Sequence, residues 1–404
     1  MRVSSLVVWA LGTTQVIGYG TLYYGFGVLA PAISAELGWG IDAVYGALSL
    51  ALLAGGLLAP WAGRLMDRHG AARIMALGSL LAALTLLGLA LAPGGIGFAL
   101  GLVAMECASA LVLYAAAFAA LVQRGGQGAQ RAITHLTLIA GFASTLFWPL
   151  TAWLGSLLSW REVYLVYAGL NLLVCLPLHL WLARLPTHAP APAAGPLSAE
   201  AALQTTLPPA RRGLASGLLL AGFAVSGFVL SGILMHVVPM LLALGLGSSS
   251  ALVTTLFGPA QVLSRFINLL LGRSLRQTLL AVLAAGLLPA ALLVLAGTVP
   301  NLPGALLFAV LFGLGSGLFS IVSGSLPLEL FGHQGYATRL GWLSAARQIA
   351  AALAPFGIAL LVTHWGSQAA LWAAAGLGLV GAGLFAAVAV LARRPLRTPL
   401  ATPA

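Results

Sequence analysis

Residues 63–73 read Gly-Arg-Leu-Met-Asp-Arg-His-Gly-Ala-Ala-Arg and join two apolar runs, 43–63 and 74–93. Each run is long enough to cross a hydrocarbon core of about 30 Å as a helix. The segment must therefore turn the chain at one face of a bilayer. Gly63 and Gly70 permit a tight turn and close helix approach. Asp67 can cap a helix or accept charge-assisted hydrogen bonds from Arg68, Arg73 or a distant part of the chain.

Outward from this turn the pattern repeats. Apolar spans fall near residues 7–30, 43–63, 74–93, 97–121, 133–156, 163–184, 214–240, 250–272, 278–297, 302–325, 340–362 and 368–392. With 61% hydrophobic residues, 6% charged residues and a mean hydropathy of +1.05, the 404-residue chain lacks the polar surface of a soluble globule. A β-barrel is excluded by period, since its spans would be about ten residues long and strictly alternating. Met1-Arg2 leads straight into a full-length run, so no cleavable signal peptide is expected.

All eighteen basic residues are arginines, and the net charge is +11. Their placement speaks against nucleic-acid binding. Arg2, the Arg64–Arg73 group, Arg124, Arg131, Arg184, Arg211, Arg212, Arg273, Arg276, Arg339 and Arg393, Arg394 and Arg397 fall on alternate loops. The opposite loops hold Arg161 with Glu36, Asp42 and Glu162. This asymmetry predicts cytoplasmic termini and an even number of crossings, which twelve satisfies. Cys107 and Cys175 lie inside spans and suggest no disulfide.

Residues 186–213, rich in Pro, Ala and Thr, cannot bury a helical face in lipid and read as a linker. They divide the chain into expected six-span bundles at 1–185 and 214–392, followed by a tail at 393–404. Gly63-Arg64-Leu65-Met66 after the second span is echoed by Gly272-Arg273-Ser274-Leu275 after the eighth. Ser159-Trp160-Arg161 before the sixth is echoed by His364-Trp365-Gly366 before the twelfth. Both matches at corresponding positions favour two homologous halves.

The Gly63–Arg73 loop closely resembles the signature between helices 2 and 3 of the major facilitator superfamily. The resemblance implies an all-α membrane protein of twelve helices in two six-helix halves, carrying out secondary transport by alternating access in a bacterial inner membrane. It also makes Gly63, Asp67, Arg68, Gly70 and Arg73 gating residues, not substrate ligands. The Gly-Pro-rich helix-5 signature of drug/proton antiporters is absent, since Gly141 to Pro149 reads G-F-A-S-T-L-F-W-P. Glu106 stands in helix 4, where many members carry a basic residue.

Ionisable groups at bilayer depth cost roughly 2.5–3.5 kcal/mol each on insertion scales, which makes Arg265, Arg347 and Glu106 functional candidates. At 1.5 Å per residue, Arg265 in the eighth span and Arg347 in the eleventh both lie about 10 Å deep from the same face. Gly258, Gln261, Arg265 and Asn268 form a polar stripe facing protein or water. Two cations at one level favour an anion between them; the competing explanation is snorkelling to headgroups. The pair resembles the monocarboxylate-porter and oxalate/formate-antiporter branch, which holds carboxylates with cations in helices 8 and 11. Gln261 replaces that branch's usual acidic residue, and its helix-1 lysine has no counterpart in a chain without lysine.

Glu106 reads equally as a proton-coupling site and as a structural hydrogen-bonding group. Gln15, Tyr19 and Tyr23 recur at i+4 and either line a substrate path or anchor an interface. The expected function is a secondary carrier of a small organic anion, most readily a carboxylate, acting as a monomer in the bilayer. The alternative is a proton-coupled drug or cation efflux carrier dependent on Glu106. An enzyme is not expected, nor are a cofactor and a metal: the histidines are scattered, and no H-E-x-x-H, Gly-x-Ser-x-Gly or Lys-bearing phosphate loop occurs.

Overall fold

The computed structural model describes residues 4–125, 128–186, 207–272 and 275–392. Arg2, Arg273, most of the expected linker and the expected tail lie outside the described residues. Lipid offers a peptide group no partner, so an apolar chain must close its hydrogen bonds within each segment. The described chain is helical throughout, without a strand. Ten helices are long and apolar enough to cross a membrane. They begin with α1 (Ser5–Leu37), α2 (Ile41–His69), α3 (Ala71–Ala90), α4 (Gly95–Gly125), α5 (Ala129–Leu157), α6 (Trp160–Arg184) and α7 (Arg212–Ala243). A broken helix follows, α8, in two pieces, Ser249–Thr255 and Phe257–Leu271. The remaining three are α9 (Gln277–Thr298), α10 (Leu302–Phe331) and α11 (Tyr336–Leu391).

Two expected boundaries move. The first span, expected to stop near residue 30, runs on to Leu37, where Gly38 at φ 64° ends it. The expected spans 340–362 and 368–392 form one helix, sharply bent at Gly366 (φ 81°, ψ 166°).

Helix ends are satisfied by side chains from elsewhere, as apolar surroundings require. Gly70, at φ 89°, lets α2 pass into α3 without an intervening loop. The Ala71 N–H that opens α3 donates to Gln123 Oε1 of α4 at 2.8 Å, and Gln123 Nε2 donates to the Met66 carbonyl at 3.1 Å. The Gln277 N–H that opens α9 donates to Glu329 Oε2 of α10 at 2.7 Å. Ala71 and Gln277 are 206 residues apart, and so are Gln123 and Glu329. One cap is thus built twice at one sequence offset.

Several helices are irregular at mid-length. The α1 helix widens into a π turn at Gly20–Tyr24, and α6 does so at Asn171–Cys175. The two π turns meet where Asn171 Nδ2 donates to Thr21 Oγ1 at 3.0 Å. The α4 helix breaks at Leu113 (φ −78°, ψ −166°), and α5 breaks at Gly141 and Phe142. Irregular backbone at this depth is tolerated only where protein or a cavity surrounds it.

Large apolar side chains such as Trp9, Leu50, Trp153, Leu173 and Phe356 remain exposed, as lipid-facing residues should. The buried core formed by α1 to α6 takes in Leu328, Tyr336, Ala337 and Leu340, which lie at the end of the molecule that carries the 63–73 loop. There α2 crosses α11 through small residues. A Cβ on Gly63 would stand 2.9 Å from Thr338 Cα, one on Gly341 would stand 2.8 Å from Pro60 Cα, and one on Gly56 would stand 3.1 Å from Gln348 Cβ. The contact runs about 10 Å along the helices.

Overpacking this crossing has a measurable consequence. Gly63→Ala is expected to lower the melting temperature of the purified protein by roughly 2–5 °C. Gly88→Ala serves as the control, because a Cβ on Gly88 meets nothing within 4 Å. Equal melting temperatures for the two variants would contradict the crossing.

Candidate functional site

The π turn at Gly20–Tyr24 changes which side chains of α1 share a face. In a regular helix Tyr23 and Tyr24 diverge by about 100°. Here both join Tyr19 in one cluster: the Tyr23 and Tyr24 rings are 5.2 Å apart, and the Tyr19 ring lies 6.5 Å and 6.3 Å from them. The break in α4 adds Tyr114, 4.6 Å from Tyr19 and stacked on Phe118 at 5.0 Å. Trp148 of α5 closes the row, 5.8 Å from Tyr24. Tyr23 is 50% exposed, so its ring forms an open face of the row.

Arg265 and Arg347 face this aromatic wall. The charge of Arg347 reaches Tyr19 and Tyr23, and that of Arg265 reaches Tyr24 and Tyr114. Arg265 is 6% exposed, and its Nε donates to Ser320 Oγ of α10 at 3.0 Å. Its guanidinium enters the break in α5, where a Cβ on Gly141 would stand 3.3 Å from Cζ and would overlap Nη1. Arg347 is exposed, with its stem packed against Gly227 of α7. Arg161 pairs with Glu36 at 2.7 Å, whereas neither arginine of the site meets a carboxylate among the described residues. Such charges call for a counterion in a low dielectric.

Glu106 is 5% exposed on α4, and its Oε1 has no hydrogen-bond partner. Its neighbours are the backbone packing of Gly55 and the hydroxyls of Tyr23 and Tyr164, within reach of its charge.

The remaining sequence candidates separate by location. Gln261 is half-buried, and its backbone packs on Gly317, where a Cβ would stand 2.9 Å from Gln261 Cα. The Asn268 carboxamide lies against Gly272 at the end of α8. Gln15 is fully buried and donates from Nε2 to the Val112 carbonyl at 2.7 Å, so its amide serves helix packing. Tyr24, Tyr114, Ser320 and Gly141 enter the site without having been singled out from the sequence. The Tyr-Tyr doublet at 23–24 was the available signal, but a regular helical period assigns only one of the two to the cavity.

At the loop-bearing end, Asp67 accepts from the N–H groups of Ala337 at 3.2 Å and Thr338 at 2.8 Å, and from Thr338 Oγ1 at 2.6 Å. It thereby caps the start of α11, where a carboxylate gains from the helix dipole. Arg68 and Arg73 are exposed and form no ion pair with it. Phe118 packs against Gly324, whose carbonyl accepts from Tyr336 Oη at 2.6 Å, forming a floor below Tyr114.

A family model described as Major Facilitator Superfamily matches residues 14–337. The structure of the human organic anion transporter MFSD10 (TETRAN) superposes with a TM-score of 0.72 at 18% identity, covering 94% of this chain and 98% of that one. The proton:xylose symporter XylE, bound to 6-bromo-6-deoxy-D-glucose, gives 0.69 at 13% identity, covering 94% and 95%. No curated protein sequence matches the chain.

The cap on α11 separates Asp67 from its arginine neighbours. With a cysteine placed at Tyr336, Asp67→Ala is expected to raise its labelling by a soluble thiol reagent on the order of tenfold, since buried donors lose a charged acceptor. Arg68→Ala and Arg73→Ala should leave the rate unchanged. A response to the arginines that matches the response to Asp67 would refute the assignment.

Proposed function

The chain belongs to the major facilitator superfamily, and from that premise we propose that this membrane transporter is a secondary carrier of a small organic anion, most readily a carboxylate. One observation carries the reading: Arg265 and Arg347 both lie near enough to the tyrosine row for their charges to act on it, and neither has a carboxylate partner among the described residues. The fold leaves the substrate open, since it is shared with an organic anion transporter and a sugar symporter. Arg265, Arg347 and the tyrosine row, with Gln261 alongside, are the assigned binding groups. The resemblance of these positions to the monocarboxylate-porter and oxalate/formate branch supports a carboxylate.

Twelve crossings fit the described helices. At 1.5 Å per residue the 56 residues of α11 extend about 84 Å, enough for two crossings folded at Gly366. The two pieces of α8 together make another. The repeated cap supports two six-helix halves, residues 1–185 and 214–392, joined by a linker at 186–213 and followed by a tail. Arginine placement supports cytoplasmic termini, and the family resemblance supports assigning the carrier to a bacterial inner membrane. The halves meet through α2 with α11 and through the loop-side pieces of α4 and α5, so this conformation is closed at the end that carries the 63–73 loop, the cytoplasmic side on the arginine reading. Asp67 is its latch, with Gly63 and Gly70 shaping the crossing and turn; Arg68 and Arg73 flank it.

Glu106 supplies a second functional element. A carboxyl buried without a partner, within reach of the cavity hydroxyl of Tyr23, suits the exchange of a proton during transport. The same observation keeps proton-driven efflux of a lipophilic cation as the competing assignment.

Uptake into proteoliposomes of radiolabelled acetate, lactate, oxalate and benzoate tests the reading. At least one should be carried, and Arg265→Ala with Arg347→Ala should reduce its uptake by about a hundredfold or more. Glu106→Gln should preserve exchange of that anion while abolishing accumulation driven by a proton gradient. Unchanged uptake in the double arginine variant, or export of lipophilic cations lost only with Glu106, would transfer the assignment to the efflux class.

A further inference from the structure

Tyr114 owes its place in the aromatic row to the break in α4, and the break leaves a backbone group without its regular partner. Leu113 N–H donates to the Ser109 carbonyl at 3.0 Å, as in an unbroken helix. The N–H groups of Ala116 and Ala117 then both donate to the Leu113 carbonyl, at 2.9 Å and 3.1 Å. Ala116 N–H is the donor that a continuous helix would give to the Val112 carbonyl. That carbonyl is orphaned at bilayer depth, where water does not replace the bond.

Gln15 takes up the orphan. From α1, 97 residues away, its Nε2 donates to the Val112 carbonyl at 2.7 Å. The side chain is fully buried, and its Oε1 has no partner. Turning the amide over would set oxygen against oxygen, so the donor side is fixed. One turn along α1, Gly18 admits Leu113 itself: a Cβ there would stand 3.2 Å from Leu113 Cδ2. Thus α1 holds both the orphaned carbonyl and the residue at the break.

The consequence lies at the site. The second piece of α4 begins at Tyr114, with its ring against Tyr19 and Phe118 and within reach of the Arg265 charge. Without Gln15, the nearest donor for the Val112 carbonyl is Ala116 N–H, and that bond would carry the helix through Leu113 and rotate Tyr114. We propose that Gln15 is a positioning residue of the binding site, holding α4 open at Leu113 so that Tyr114 completes the wall opposite Arg265. The inference rests on the reading that this wall faces the substrate.

The test uses no substrate, so its failure is separable from failure of the carboxylate assignment. In full-length protein with Cys107→Ala and Cys175→Ala, cysteines replace Tyr114 or, as a reference, Tyr24. Each is labelled with the anionic reagent methanethiosulfonate ethylsulfonate, with and without Gln15→Met, which keeps the volume and removes the donor. The rate at position 114 relative to position 24 is expected to change by about tenfold or more, the scale of one lost buried hydrogen bond. A general loosening would move both rates together, and that result, like an unchanged ratio, would overturn the proposal. If Gln15→Met does not fold, Gln15→Asn, one methylene too short to reach Val112, carries the same comparison with the same two outcomes.

Discussion

In a bilayer, every peptide N–H and carbonyl must find its partner inside the protein, and this chain meets that demand with few polar side chains. Several of its charged groups serve helix ends. Asp67 caps α11, Glu329 caps α9, and the Arg124 guanidinium donates to the Leu182 carbonyl near the end of α6. Arg161 donates to the carbonyls of Ala90 and Ala92 where α3 ends, and Arg276 donates to the Ala392 carbonyl at the far end of α11. Against this background Arg265, Arg347 and Glu106 stand apart. They lie at depth, close no helix end and have no opposite charge beside them. The constraint that accounts for these capping charges therefore does not account for the three.

The closed end of the molecule and the candidate site are parts of one contact surface. The crossing of α2 with α11 runs from Asp67 and Gly63 up to Gly56 and Gln348, and Arg347 is the next residue. On the other flank Arg265 fills the gap left by Gly141 between α8 and α5. Each arginine thus sits where helices of the two groups approach. On the proposed reading, an anion bound between them acts directly on the contact that must change during transport, and its differential binding to two arrangements can bias them.

Much of the architecture was legible because lipid imposes simple rules. Span length, the alternation of arginines and the 63–73 loop each follow from a constraint that acts on sequence directly. Arg265 and Arg347 were legible for the same reason, as charges at a depth where charges are rare. The aromatic wall was only partly so. Tyr19 and Tyr23 follow from a regular period, but Tyr24 and Tyr114 depend on a π turn and a break that no local period announces. Gln15 shares the i+4 spacing of Tyr19 and Tyr23 yet is wholly buried, because its partner is a backbone carbonyl created by the fold of another helix. Gly141 carried no chemical signal, and its contribution is the absence of a side chain.

The irregular helices give the site its link to the closed end. Tyr114 and Phe118 occupy successive turns of the second piece of α4. Phe118 rests on Gly324, and the Gly324 carbonyl is held by Tyr336 at the start of α11, beside the residues that Asp67 caps. A continuous α4 would tie this piece rigidly to the portion carrying Glu106, which packs on α2 at Gly55. The break at Leu113 removes that tie, yet Gln123 still holds the loop-side piece to α2 and α3, so both portions of α4 stay with α2. On the proposed reading, separation of α2 from α11 then parts Phe118 from Gly324 and moves Arg347 away from Tyr19. A site whose cations and aromatic wall part as the closed end opens binds its anion differently in the two arrangements, and that difference is what a carrier requires.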